Sequence, residues 1–350
     1  MFELENILRK NIQNLIPYSS ARDEYKGKEG IFLDANENSY GSPLNSNYNR
    51  YPDPLQLELK EKISKIKGLP VENIFLGNGS DEAIDILFRA FCRPAIDNVI
   101  ICPPTYGMYE VSANINDVEI RKTNLLPETF QLDTENILKN INQNTKLFFV
   151  CCPNNPTGNG VKQADIKKVL DNFNGIVVVD EAYINFANYR SLIHELLNYP
   201  NLVILQTLSK AWGLAGLRVG MAFASQQIID VFNKVKPPYN INAVSQQIAL
   251  EALENVEQIN SWIKTIVAQR EIISKELASF SFVKKVYPSN ANFILVKVNG
   301  AQILYTYLVE KQIIVRDRSK LVLCESCLRI TIGTEEENKK LITSLKNYSK

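Results

Sequence analysis

The chain has 350 residues, 45% of them hydrophobic and 22% charged, with a formal net charge of +1. That balance excludes the strong single-sign field of a nucleic-acid or membrane-surface binder and favours small polar substrates, while the length allows a substantial core in two or three compact units. No apolar run approaches bilayer-spanning length, and the opening "MFELENILRK" lacks a basic region followed by an apolar stretch, so a cytoplasmic protein is expected.

Residues 1–44, rich in Asn, Tyr and Pro, read as an arm rather than a domain. Over 45–245, short apolar runs alternate with helix-length segments: "NIFL" near 73, "NVIIC" at 98, "KLFFVCC" at 146, "GIVVVD" at 175 and "NLVILQ" at 201. This pattern predicts a large α/β domain whose mostly parallel sheet is covered on both faces. A polar cluster follows each run: "GNGSDE" at 77, "PPTYGMY" at 103, "PNNPTG" at 153, "DEAY" at 180 and "TLSK" at 207. Ligands of such sheets gather at the carboxyl ends of the strands, so the five clusters predict one site. From 246 to 350 the texture changes to a long helical stretch, strand-like "ANFILVKV", helical "AQILYTYLVEKQ", then strand-like "IIVRDR" and "CLRITIG". A last helix is opened by Thr334, with Glu337 placed for a capping box. This portion reads as a smaller α/β domain.

The six cysteines are expected as reduced thiols. Cys324 and Cys327 form a C-x-x-C without the second pair or histidine cluster that a tetrahedral zinc site needs, so no metal is expected. Cys151 and Cys152 end an apolar run and read as small buried side chains. The single histidine, His194, sits in "SLIHELL", whose spacing suggests an amphipathic helix. One histidine there does not suit triad or multi-histidine chemistry, and proton transfer must rest on another group.

Lys210, in "TLSKAWGLAGLRVG", follows an apolar run and precedes small and apolar residues, with Arg218 the other charge nearby. A buried lysine there requires pairing, neutralisation or covalent engagement. Gly77, Gly79 and Ser80 precede a helix whose apolar face is Ala83, Ile84, Leu87, Phe88 and Phe91. Free N–H groups at its start favour an anion such as phosphate, although Ser80 or Asp81 serving only as a cap fits the same string. Ser209 and Arg218 form a second anion-binding element around Lys210, and together the two suggest a phosphorylated cofactor. Asp180 is delivered into the crevice by its strand, to pair either with an internal Arg or Lys or with a protonated pyridine nitrogen. In the second case Lys210 is a lysine that bonds an aldehyde. Tyr183 and Asn155 stand ready to hydrogen-bond a ring hydroxyl, and Tyr106 offers a face for stacking.

The ordered strings "GNGSDE", "PPTYGMY", "PNNPTG", "DEAY" and "TLSKAWGLAGLRVG" resemble those of the fold-type I pyridoxal-phosphate aminotransferases, close to the histidinol-phosphate aminotransferase branch. The resemblance runs from "LIPYSSAR" to "CLRITIGTEEEN", nearly the whole chain. It implies pyridoxal 5'-phosphate as cofactor, with Lys210 as the covalent lysine, Asp180 as the partner of the pyridine nitrogen, and Asn155 and Tyr183 as partners of the ring oxygen. Tyr106 would stack on the ring, while Ser80, Asp81, Thr207, Ser209 and Arg218 would hold the phosphate. It also implies substrate-binding roles for Tyr18, Asn36, Glu37, Tyr51, Arg316 and Arg329, with Tyr51 reaching the neighbouring subunit's site in a homodimer. Trp212, where the family often has Phe, and a short cysteine-bearing segment between Arg316 and Arg329 depart from the pattern.

The implied reaction is transamination between a phosphorylated amino alcohol, histidinol phosphate, and 2-oxoglutarate, with Lys210 as the base that needs no histidine beside it. A decarboxylase of phosphorylated amino acids and a broad aromatic aminotransferase are the rival readings on the same framework. A non-catalytic scaffold would be expected to lose its reactive side chains, yet Lys210, Asp180, Asn155 and Tyr183 are all present.

Overall fold

The computed structural model describes residues 2–18, 30–44 and 48–348. Most strands of its large sheet form where Val, Ile, Phe and Leu run consecutively, because helices cover both faces of the sheet. They are β1 (Ile74–Asn78), β2 (Asn98–Ile101), β3 (Glu119–Lys122), β4 (Thr145–Cys151), β5 (Ile176–Asp180), β6 (Leu202–Thr207) and β7 (Val219–Phe223), in the order β1-β7-β6-β5-β4-β2-β3. From β3 through β6 the pairings are parallel, whereas β7 runs antiparallel to both β6 and β1. The sheet is therefore mixed. Alternate residues of one strand feed opposite cores: Val177 and Val179 join Leu59, Phe148 and Ile204 on one face, while Ile176 and Val178 join Phe88, Phe149 and Phe232 on the other.

The helix Ser80–Phe91 turns Ala83, Ile84, Leu87, Phe88 and Phe91 into the second core, the face its spacing predicts. Its first turn points at the sheet edge where β4, β5 and β6 end. In register, Cys151 pairs with Asp180 and Asp180 with Leu205, so the polar clusters that follow these strands arrive at one place.

The second sheet is antiparallel, in the order β10 (Arg316–Asp317), β11 (Cys327–Thr331), β9 (Phe293–Val298) and β8 (Val283–Val286). Ile294 and Val296 of β9 face a core shared with Ile273, Leu277, Leu341 and Leu345 from the helices Val256–Ala278 and Glu335–Tyr348. Leu295 and Cys327 face the other way, with Cys324 and Tyr287, and pack into the core of the large sheet. The last helix carries the expected capping box: Glu337 Oε2 accepts from Thr334 N at 2.7 Å, and Thr334 Oγ1 accepts from Glu337 N at 3.3 Å.

The segment around His194 differs from expectation. Leu192–Glu195 is one 3-10 turn, with Ser191 Oγ accepting from Ile193 N at 3.0 Å. Buried Leu192 and Ile193 hold it on the core, and Pro200, only a few residues on, leaves no room for an amphipathic helix.

Candidate active site

Asp180 ends β5 and is almost wholly buried. Its Oδ2 accepts from the Tyr109 hydroxyl at 2.7 Å and its Oδ1 from the Ala182 N–H at 3.1 Å. Tyr109 is itself fixed by stacking on Phe149, with centroids 4.7 Å apart. Burial pushes the Asp180 carboxyl above its ordinary pKa, and these two donors offset only part of that effect. A carboxylate so placed is ionised most readily beside a cation.

The opposite end of the cleft is an anion cradle assembled from two segments. Arg218 adopts the left-handed backbone (φ 56°), and its carbonyl accepts from Gly79 N at 2.8 Å. This bond draws the start of β7 against the first turn of Ser80–Phe91. The approach demands glycine at 220, because a Cβ there would lie 2.1 Å from Ser80 N. Neither Ser80 nor Asp81 caps the helix by its side chain, since Gly79 occupies the cap position and Glu82 instead accepts from Asn78 N. The first-turn N–H groups thus face the cleft without intrahelical partners. Asp81 Oδ2 lies 3.7 Å from Arg218 Nη2, and its Oδ1 accepts from Tyr106 at 3.2 Å. The Asp81 carboxylate is therefore occupied, and the N–H of this residue is its group suited to a phosphate. Thr207 Oγ1 accepts from Ser209 N at 3.0 Å and donates to Val219 O at 3.3 Å, fixing the turn that carries Lys210.

Lys210 is not enclosed; its side chain opens into the cleft. Its Nζ lies 5.7 Å from the centroid of the Tyr183 ring. Partial burial lowers the amine's pKa, and the nearby Arg329 guanidinium pushes it the same way. Tyr183 packs edge-on against Phe293, and its hydroxyl stands 3.5 Å from Asn155 Nδ2. Burial raises the Tyr183 phenol's pKa, which keeps it a hydrogen donor. The whole cleft encloses about 530 Å³ including its mouth, and all ten residues expected to touch a cofactor line it.

Arg329, on β11, donates to Asn155 Oδ1 and lies 5.1 Å from the Phe293 ring centroid. Arg316 stands directly opposite it in register on β10 and is exposed. The remaining expected substrate residues lie apart from the cleft lining. Tyr18 is 76% exposed, Asn36 is exposed with φ 55°, and Tyr51 is 51% exposed and stacked on Tyr239 at 4.5 Å. Glu37 accepts from Arg50 Nη1 and from Tyr51 N, each at 2.6 Å, so it braces the Tyr51 loop. Sequence reasoning missed Tyr109, although "PPTYGMY" contains it; its ring is buried in the core and only its hydroxyl reaches Asp180.

These features define an enzyme built on a lysine and a cofactor bound at the edge of an α/β sheet, and the chain belongs to the aminotransferase class I and II family, whose model matches residues 29–345. Its relatives are more particular. The histidinol-phosphate aminotransferase of Cytophaga hutchinsonii is 55% identical over 347 residues, covering 99% of each chain. The crystal structure of the histidinol-phosphate aminotransferase from Clostridium acetobutylicum superposes with a TM-score of 0.80 at 26% identity, covering 87% of this chain and 91% of that one. The Sinorhizobium meliloti enzyme of the same name, solved in complex with pyridoxal-5'-phosphate, shares the fold with a TM-score of 0.78 at 21% identity, covering 97% and 96%.

Pyridoxal 5'-phosphate is the cofactor of this chain, and the residues fit it. The buried Asp180 carboxylate suits a pyridinium, the lowered Lys210 amine suits an aldehyde, and the cradle at Gly79, where a Cβ would run into the Arg218 guanidinium, suits a phosphate.

Proposed function

We propose that this enzyme transfers the amino group of L-histidinol phosphate to 2-oxoglutarate, giving imidazole acetol phosphate and L-glutamate, within histidine biosynthesis. The observation that carries the reading is one cleft holding Lys210, Asp180 and an anion cradle, with Arg329 bonded to its Asn155 and Arg316 opposite Arg329 in register. When bound, pyridoxal phosphate would supply an electron-withdrawing ring that stabilises the charge left at the substrate's Cα. Asp180, oriented by Tyr109 and the Ala182 N–H, holds the proton on the ring nitrogen. Ser80, Thr207, Ser209, Arg218 and the Asp81 N–H would hold the cofactor phosphate, with Asn155 and Tyr183 on the ring oxygen and Tyr106 against the ring.

Lys210 Nζ would hold the cofactor's aldehyde and, as a free amine in the cleft, is placed to take the proton from the substrate's Cα. Its lowered pKa raises the fraction of neutral amine near neutral pH, the form a base requires. Arg329, assisted by Arg316, grips the phosphate of one substrate and a carboxylate of the other, both anions matching a guanidinium fork. Tyr18, Asn36, Glu37 and Tyr51 complete the substrate site, Tyr51 by reaching a neighbouring subunit in a cytoplasmic homodimer. Residues 1–44 serve as arm, 45–245 as cofactor domain and 246–350 as the smaller domain. The large exposure of Tyr18 and Tyr51 in the single chain supports the subunit assignment.

The test is an absorbance titration of the purified, cofactor-loaded enzyme. Histidinol phosphate should abolish the band of the lysine-bound cofactor, and 2-oxoglutarate should restore it. Release of carbon dioxide from a phosphorylated amino acid, or equal turnover of phenylalanine, would sink the assignment.

A further inference from the structure

Arg316 and Arg329 have a third companion. The Arg318 N–H donates to the Cys327 carbonyl at 2.9 Å, extending the antiparallel ladder one step beyond the Arg316–Arg329 and Asp317–Leu328 pairs. Side chains alternate along such a ladder, so Arg318 projects to the same side as Arg316 and Arg329. Asp317, between them on the opposite side, accepts from Ser319 N at 2.8 Å. None of the three arginines forms a salt bridge among the described residues, in contrast to Arg50, Arg93 and Arg270. The Nε of Arg318 and the Nε of Arg329 are both buried without a hydrogen-bond partner. A buried donor left unpaired is costly, and three like charges around one volume add repulsion. The mutual effect is visible in Arg318, whose affinity for its proton falls through burial first and then through Arg329 and Arg316.

A single carboxylate needs one guanidinium fork, which Arg329 supplies. A phosphate monoester carries nearly two charges and three terminal oxygens, and so matches a surplus of cationic donors. We infer that Arg318 is a specificity-determining residue that, with Arg316 and Arg329, selects a substrate bearing a doubly charged phosphate over one bearing only a carboxylate. The inference rests on the aminotransferase reading above and deepens it.

Arg318→Gln and Arg318→Lys are compared with the unaltered enzyme, all cofactor-loaded, after checking that the lysine-bound cofactor band and the Tm persist. Two measurements are made: KM and kcat for histidinol phosphate and 2-oxoglutarate, and calorimetric titration with inorganic phosphate and with glutarate. In Arg318→Gln the KM for histidinol phosphate and the Kd for phosphate should rise roughly 10- to 100-fold, the scale of one charge-assisted hydrogen bond. The values for 2-oxoglutarate and glutarate should move less than about threefold, since their fork remains. Arg318→Lys, keeping the charge without the fork, should recover part of the loss. Unchanged phosphate affinity, or equal losses for phosphate and glutarate, would overturn the inference. Should the Gln variant fail to load cofactor, the Lys variant decides by the same phosphate-to-glutarate comparison. If the unaltered enzyme transfers no amino group from histidinol phosphate, the proposed substrate is wrong, while the calorimetric comparison still judges Arg318.

Discussion

At the scale of single residues, the Tyr109 hydroxyl is one of two donors that hold Asp180. Tyr109→Phe should leave the fold and cofactor loading intact, slow amino transfer about tenfold, the worth of one such bond, and shift the pH profile of the cofactor's absorbance. An unchanged spectrum and rate would show that the Ala182 N–H suffices. Asp180 also carries a stability consequence. Its pKa is raised in the fold, so the folded state favours the protonated acid. That contribution is complete below the ordinary carboxyl value and is lost as pH rises through the raised one. Cofactor-free Asp180→Asn should therefore have a higher Tm than the cofactor-free parent at neutral pH, and the gap should close in acid. The ten residues expected to touch a cofactor all line the cleft, and most were legible because they end or follow an apolar run, which forecasts where the side chain arrives. Tyr109 was not, because its value lies in a contact made 71 positions away. Arg318 ends the strand-like "IIVRDR", but its shared face with Arg329 depends on cross-strand register that the string alone does not reveal.

Among the elements, β2, β4, β5, β6 and β9 were readable as continuous apolar runs because each is buried on both faces. β3 escaped notice because it is a charged edge strand, "EIRK", suited to discouraging further pairing. β7 was hidden inside the motif it serves, for "VGMAF" has small residues where the helix start and the strand nearly touch. The tightness of that contact is testable. Gly220→Ala would force a Cβ to within 2.1 Å of Ser80 N, whereas a Cβ at Gly216 meets nothing within 4 Å. Gly220→Ala should cost about 1–3 kcal/mol in urea denaturation and weaken cofactor retention on dialysis, with Gly216→Ala close to the parent in both. Equal behaviour of the two variants would mean that the cradle tolerates displacement.

Taken as a whole, the molecule joins two sheets through the strands β9 and β11. β9 gives Ile294 and Val296 to the smaller core and Leu295 to the larger, where Cys324 and Cys327 also lie. The change of texture near 246 showed that a second unit begins. It could not show that the units share a core, because that depends on which alternate residues of β9 face which side. Continuous packing of this kind favours cooperative loss of structure. Urea transitions followed by far-UV circular dichroism and by the cofactor's absorbance should coincide, and Leu295→Ala should lower both midpoints together. Separate midpoints would show that the smaller unit melts alone.

The bond from Arg329 to Asn155 Oδ1 couples the two ends of the cleft through one side chain, whose Nδ2 is the donor left for a ring oxygen. On the proposed roles, an anion that captures the guanidinium loosens Asn155, which is then free to turn fully toward the cofactor's ring oxygen. Occupancy at the mouth is thereby reported as colour. Glutarate, which has no amine to give, should still shift the absorbance of the resting enzyme, and the shift should vanish in Asn155→Ala.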